Sequence, residues 1–326
     1  MERDLSLFQS HPWPRQHGVQ GRREDRNQSE PEQHDKPWDD RPSELLSACA
    51  SFARPAVDRS RKSTAIVDHS LRFQPVIPGN LYDKIHGEFP GVVFVDHIGG
   101  DGRLKAEFKA NAIPYSITSR NATGLDTTVT EAAYLIDAAL LKGHVSSGVT
   151  LCAKNLFGAT SINPDWHKNA HDGFPHNRDG SASYAAIVDF LGHKDLGEKA
   201  MLFLIDGLYG NENADPPPSH KWKMAPFNDA WPSSIFMSLD GVAIDSVGFD
   251  FLTAEWPNLV DIANADNYLR EAALAHDPPS KTFYDPERDG IRCRSLGVFE
   301  HWNNATDKKY SGNLGKAHGI ELFQVG

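Results

Sequence analysis

The sequence predicts an α/β fold, a mixed and mostly parallel sheet covered by helices, behind a disordered N-terminal extension. Three observations lead there. Apolar runs at 92–95 (VVFV), 200–205 (AMLFLI) and 235–239 (IFMSL) have the length of buried strands. Segments with helical spacing and recognisable caps alternate with them. Residues 1–62 instead are rich in Arg, Asp, Glu, Gln, His, Pro and Ser, with SELLSACASFA as their one apolar patch, too little to repay the entropy of ordering. They read as a disordered extension or as the product of a non-native upstream frame, and residues 63–326 as a single α/β domain.

Taken in order, the run at 92–95 leads into Gly99-Gly100-x-Gly102. This reads as a tight turn more readily than as a phosphate-binding loop, since it matches neither G-x-G-x-x-G nor a Walker sequence. Thr128 and Glu131 have capping-box spacing, and Ala132, Leu135, Ile136, Ala139 and Leu140 extend a helical stripe, so the local pattern at 128–140 favours helix. Asn163-Pro164 opens a short helix that Gly173 closes, predicting helix over 164–172. Ser181 caps a segment with Tyr184, Ile187, Val188 and Leu191 at helical spacing, ended by Gly192. A third helix follows Asp240, and a fourth spans about 267–276 before Pro278.

The most unusual stretch is 140–160, LLKGHVSSGVTLCAKNLFGAT, where charged residues interrupt an apolar segment. Lys142, Lys154 and Asn155 lie among residues suited to a core, and polar groups withdrawn from water need a partner or a ligand. This stretch resembles the hallmark segment of the DUF362 family, in which a Lys-His pair precedes a T-L-x-x-K-N-x-x-G element, here Lys142, His144, Thr150, Leu151, Lys154, Asn155 and Gly158. LFLIDGLYGNENADPPP and IFMSLDGVAIDSVGFDFL resemble that family's two later blocks, so the resemblance covers roughly residues 125–260. It implies a short helix followed by a buried strand at about 134–138 that delivers Lys142 and His144 to a loop. The family has no assigned function. Some members carry ferredoxin-type cysteine clusters, which this sequence lacks.

Composition excludes several classes. A net charge of −11 argues against nucleic-acid and anionic-membrane partners, which require clustered Lys and Arg. Cys49, Cys152 and Cys293 are odd in number and widely spaced, so neither a disulfide framework nor an iron–sulfur cluster is expected, and a cytoplasmic setting fits. No apolar run reaches the roughly 18 residues of a membrane span.

Candidate site residues follow from position. Asp206 and Asp240 each stand after an apolar run and before a glycine, where α/β sheets bind ligands beyond strand carboxyl ends. With Lys142 and Lys154 they would form a cleft of two carboxylates and two ammonium groups, suited to acid–base work or to a divalent metal with an anionic substrate. Asp240 is equally an N-cap, and Asp206 equally a turn residue. His144 is the candidate acid–base group. Asp245 lies one turn into the helix and points either back to that mouth, as a metal ligand, or to solvent. Lys154, Asn155 and Gly158 form an anion site, or Lys154 sits on the outside of an edge strand. His167 and His171, four residues apart, could ligate a metal, with Asp172 and His176 in reach, though a polar helix face explains them better. Two functions follow: an enzyme acting on a small anionic molecule, or a non-catalytic accessory protein for a redox or metal-handling partner, either one monomeric or a homo-oligomer. Trp222, Trp231 and Trp256 read as core.

Overall fold

A computed structural model describes residues 64–67, 81–161, 181–214, 218, 220–259 and 261–325. The N-terminal extension at 1–62 and the short helix expected at 164–172, with His167, His171, Asp172 and His176, lie outside the described residues.

The chain opens with β1 (Thr64–Val67), α1 (Leu81–Ile85), β2 (Val92–Asp96) and β3 (Leu104–Lys105), in a three-stranded parallel sheet of order β1-β2-β3. The Gly99–Gly102 loop between β2 and β3 is a turn folded around an ion pair. Asp96 accepts from the backbone of Ile98 and Gly99, and from Arg103 Nε at 2.9 Å. A hairpin of β4 (Phe108–Ile113) and β5 (Thr123–Asp126) follows. It leads to the single turn α2 (Thr127–Glu131), capped by Asp126 rather than by Thr128.

The larger sheet is mixed, in the order β7-β6-β8-β9. Its centre is β6 (Leu135–His144) parallel to β8 (Ala200–Asn211); β7 (Gly148–Val149) and β9 (Ser234–Ser238) pair antiparallel on either side. The local helical reading of 128–140 thus fails beyond α2, because an apolar run packed under a helix layer satisfies strand and helix patterns alike. The strand also runs further than expected: Lys142 and His144 belong to β6 itself, not to a loop. Gly143 makes this possible. A Cβ there would lie 2.0 Å from the carbonyl oxygen of Glu212, which crosses the strand end.

Period-two alternation along β6 gives the sheet two unlike faces. Ala139 and Leu141 join Phe203 and Ile205 of β8 in the main core. Covering them are α3 (Cys152–Asn155), α4 (Ala186–Gly192), α5 (Gly241–Glu255) and α6 (Ile262–Ala273). Helix α5 is buried on nearly every side, as expected for a helix apolar all round. Its Gly248 packs so closely that a Cβ would touch Leu151, Ile205 and Leu141. Helix α6 begins at Ile262, earlier than the sequence suggests, because Asn264 and Asn267 are buried in it as tethers. Their amides bond the carbonyls of Ser146 and Ser183. Beyond α6 the chain to residue 325 is largely irregular and packs back onto the core through Tyr284, Tyr310 and Ile320. No helix among the described residues is long and apolar enough to cross a membrane.

Candidate functional site

On the other face of the sheet, the register aligns Leu140 with Asp206 and Asp206 with Ile235, and one rung earlier Ala138 with Leu204 and Leu204 with Met237. Partners in register share a face, so Asp206 stands directly beside Leu140. Lys142 follows Leu140 on that face by two residues, roughly 6–7 Å along the strand. His144 comes two residues later again. Lys142 and His144 therefore end β6 on the face that carries Leu140, near the carboxyl end where open α/β sheets bind ligands, while Asp206 stands beside Leu140 inside β8, and a register shift brings Lys142 opposite Asn211 at the end of β8.

Local contacts hold each of them. Lys142 Nζ donates to the carbonyl of Ala214 at 3.4 Å, which fixes segment 212–214 across the strand end. Asp206 Oδ1 accepts from the backbone N–H of Leu208 at 2.9 Å. The Asp206-Gly207 pair is not a turn, since β8 continues to Asn211. His144 Nδ1 accepts from the N–H of Ser146 at 3.0 Å, which in the neutral ring assigns the proton to Nε2. Close by, Trp222 is fully buried and its indole N–H has no acceptor. A Cβ on Gly210 would lie 3.1 Å from that nitrogen, and the next residue, Asn211, pairs with Lys142. Among the described residues this buried donor has no acceptor, and it lies in the main core cluster with the residues of the core face.

The four-residue cleft expected from sequence does not assemble. Strand β9 runs antiparallel to β8, with Ser238 beside Phe203, so Asp240 emerges at the amino end of β8, away from Asp206. There it caps α5: Oδ1 accepts from Val242 N at 2.9 Å and Ala243 N at 2.8 Å, and Oδ2 from Val298 N at 2.9 Å. Lys154 is separated too. After β7 the chain turns back under the core face, so Lys154 and Asn155 sit in α3 near the start of β6. Lys154 is neither in an edge strand nor on the outer face; it is 7% exposed, with its ammonium 5.5 Å from the ring centre of Phe157. Gly158 lies in the 3-10 turn Leu156–Ala159, with open space where a side chain would project.

Asp245 points neither to the strand-end mouth nor to solvent. Fully buried, it accepts from the backbone N–H groups of Cys152 and Ala153 at 2.8 and 2.9 Å and from Tyr268 OH at 3.0 Å. It thus caps α3 from another helix. Burial pushes its pKa up to about 7 against the pull of these three donors. Beside it stands Asp137, which sequence reading passed over as one polar residue in an apolar strand. It is 4% exposed, and Asn155 Nδ2 donates to its Oδ1 at 2.6 Å. Burial, and secondarily the charge of Asp245, hold its carboxyl well above the usual range. Burial, and secondarily the same two carboxylates, raise the thiol of Cys152, which donates to Leu204 O at 3.3 Å. No group of three or more His, Cys, Asp or Glu side chains arranged to hold a metal occurs among the described residues.

Residues 103–250 match the model of a family described as "Domain of unknown function (DUF362)". No curated protein and no solved structure matches the chain.

Proposed function

We propose, from the match of residues 103–250 to the DUF362 family model, that the protein is an enzyme binding a small anionic molecule at the carboxyl end of β6, beside β8. The observation that carries this reading is the placement of Lys142, His144 and Asp206 on one sheet face. Lys142 supplies the positive charge, with no obligatory geometry, as suits a carboxylate or phosphate. His144, whose neutral ring carries its proton on Nε2, and Asp206 are the groups that would exchange protons with a bound molecule. A divalent cation in the same site would be held by Asp206, the one carboxylate of the trio.

A thermal-shift screen of inorganic phosphate, small carboxylates and divalent metals tests it. An anion that binds the folded state raises the melting temperature in proportion to the logarithm of its concentration. Lys142→Ala is expected to weaken that anion by roughly 10- to 100-fold, the effect of losing a hydrogen bond to a charged group. An anion response that survives Lys142→Ala unchanged rejects the site and leaves the accessory-protein reading.

A further inference from the structure

Asp137 presents a problem that the proposed site does not use. Its Oδ1 is held by Asn155, while its Oδ2 is buried and has no hydrogen-bond partner. The groups that face it are few. Helix α3 contributes Cys152 and Asn155, and α5 contributes Asp245, whose own oxygens accept from α3 and from Tyr268 of α6. From β8 the carbonyl of Leu204 accepts from Cys152. The charged group acting on Asp137 is thus another carboxylate.

Helix α3 is a single turn with no side-chain cap of its own. At its start it hangs on Asp245, through the N–H groups of Cys152 and Ala153. At its end it hangs on Asp137 and the carbonyl of Ala138, through the amide of Asn155. Two ionised carboxylates at these points would face each other across a buried thiol in an apolar medium, where neither can be left without compensation. A proton on Asp137 removes the conflict. Without it, the cheapest relief is for the exposed Asn155 to swing out and admit water.

We propose that Asp137 is held as a neutral carboxylic acid and that its proton secures α3, so that loss of the proton releases the turn carrying Lys154 and Asn155. This inference does not depend on the anion site, which lies on the opposite face of the sheet.

The sign of the pH dependence follows. With α3 open, Asp137 meets water and titrates near the ordinary value for an aspartate; with α3 closed it retains its proton to higher pH. Opening therefore becomes easier as pH rises, by about tenfold per unit, until Asp137 ionises in place. Hydrogen–deuterium exchange of the full chain, between about pH 5 and about pH 8 and corrected for intrinsic rates, reads this at the amides of Cys152 and Ala153. Asp137→Asn is expected to remove about one factor of ten per pH unit from the dependence, leaving the share that belongs to Asp245. Asn155→Ala removes the one donor favouring the ionised form, so the dependence should extend to higher pH. A wild-type protein whose protection is flat, or an Asp137→Asn variant with the same slope as wild type, overturns the proposal. So does an Asn155→Ala variant whose dependence stays put or moves to lower pH.

Discussion

The two faces of the four-stranded sheet treat polar groups in opposite ways. On the core face, Asp137 and Asp245 are sealed beneath α3, α5 and α6, and each is tied to backbone or side-chain donors that hold the fold together. On the outer face, Lys142, His144 and Asp206 stand beside Ile235 and Met237, which are 40% and 60% exposed. One strand, β6, contributes to both by alternation, with Asp137 on the core side and Lys142 and His144 on the other. Core-face polar groups act as structure whose ionisation state is constrained, whereas the outer-face groups lie beside exposed side chains.

The comparison predicts that damage to the core face costs far more. Leu141 is 1% exposed and packs against Gly248 of α5. Leu141→Ala should destabilise the protein by about 2–5 kcal/mol in urea denaturation, through lost burial and the cavity left behind. A loss under about 1 kcal/mol would show that the layer above β6 is loosely packed.

Next in size is the interhelical cap. Asp245→Asn keeps one acceptor but turns an amide toward N–H donors, leaving at least one buried donor unmet, at a cost of about 1–3 kcal/mol near pH 6. The pH dependence separates this from a packing defect. Because burial raises the pKa of Asp245 to about 7, its ionisation opposes folding. The penalty is absent below its ordinary value, grows as pH rises from there, and is complete above about 7. The variant should therefore lose stability relative to wild type chiefly at low pH, with a gap that narrows toward pH 8.

A smaller effect is expected at the clasp that holds the C-terminal segment against the helices covering the core face. His301 bonds Asp250 of α5 at 2.6 Å through Nδ1 and Asp266 of α6 at 3.3 Å through Nε2. These two bonds raise its pKa to about 9. The sign is opposite to that of Asp245: the stabilisation is fully present below the ordinary histidine value and is lost as pH climbs to about 9. His301 is about half exposed, so solvent screening limits the contribution to about 1 kcal/mol. His301→Ala should lower the unfolding free energy in urea by that amount at about pH 6 and leave it unchanged at about pH 10.

Much of the scaffold was legible from sequence, for reasons that also explain the failures. The runs at 92–95, 200–205 and 235–239 became β2, β8 and β9, and the helix after Asp240 was found because its cap and apolar pattern are local signals. Lys142, His144 and Asp206 were singled out as polar residues near strand ends; the structure places Lys142 and His144 at the end of β6 and Asp206 beside Leu140 within β8, which runs on to Asn211. Lys154 and Asp240 were grouped with them wrongly, because closeness in motif says nothing about face or strand direction. The reversal of β9 relative to β8 and the return of the chain beneath β6 are long-range facts. Asp137 escaped notice for a related reason. A lone aspartate in an apolar strand has no local signature, and only the helix laid over it shows that it is buried with one oxygen unmatched.

The smallest effect expected is also the sharpest test of the outer face. Met237 sits beside Leu204 on β9, with 60% of its surface open, and the more exposed Leu239 follows at 76%. Replacing an exposed methionine removes little buried area and leaves no cavity, so Met237→Ser should change the stability by no more than about 0.5 kcal/mol. The contrast with Leu141 then rests on face alone, since both side chains are apolar and both belong to the same sheet. A loss of about 2 kcal/mol or more at Met237 would mean that this face is covered in solution. Lys142 and Asp206 would then stand inside an interface instead of at a mouth open to small anions, and repeating the denaturation at several protein concentrations would identify a second copy of the chain as the cover, because stability that depends on association rises with concentration.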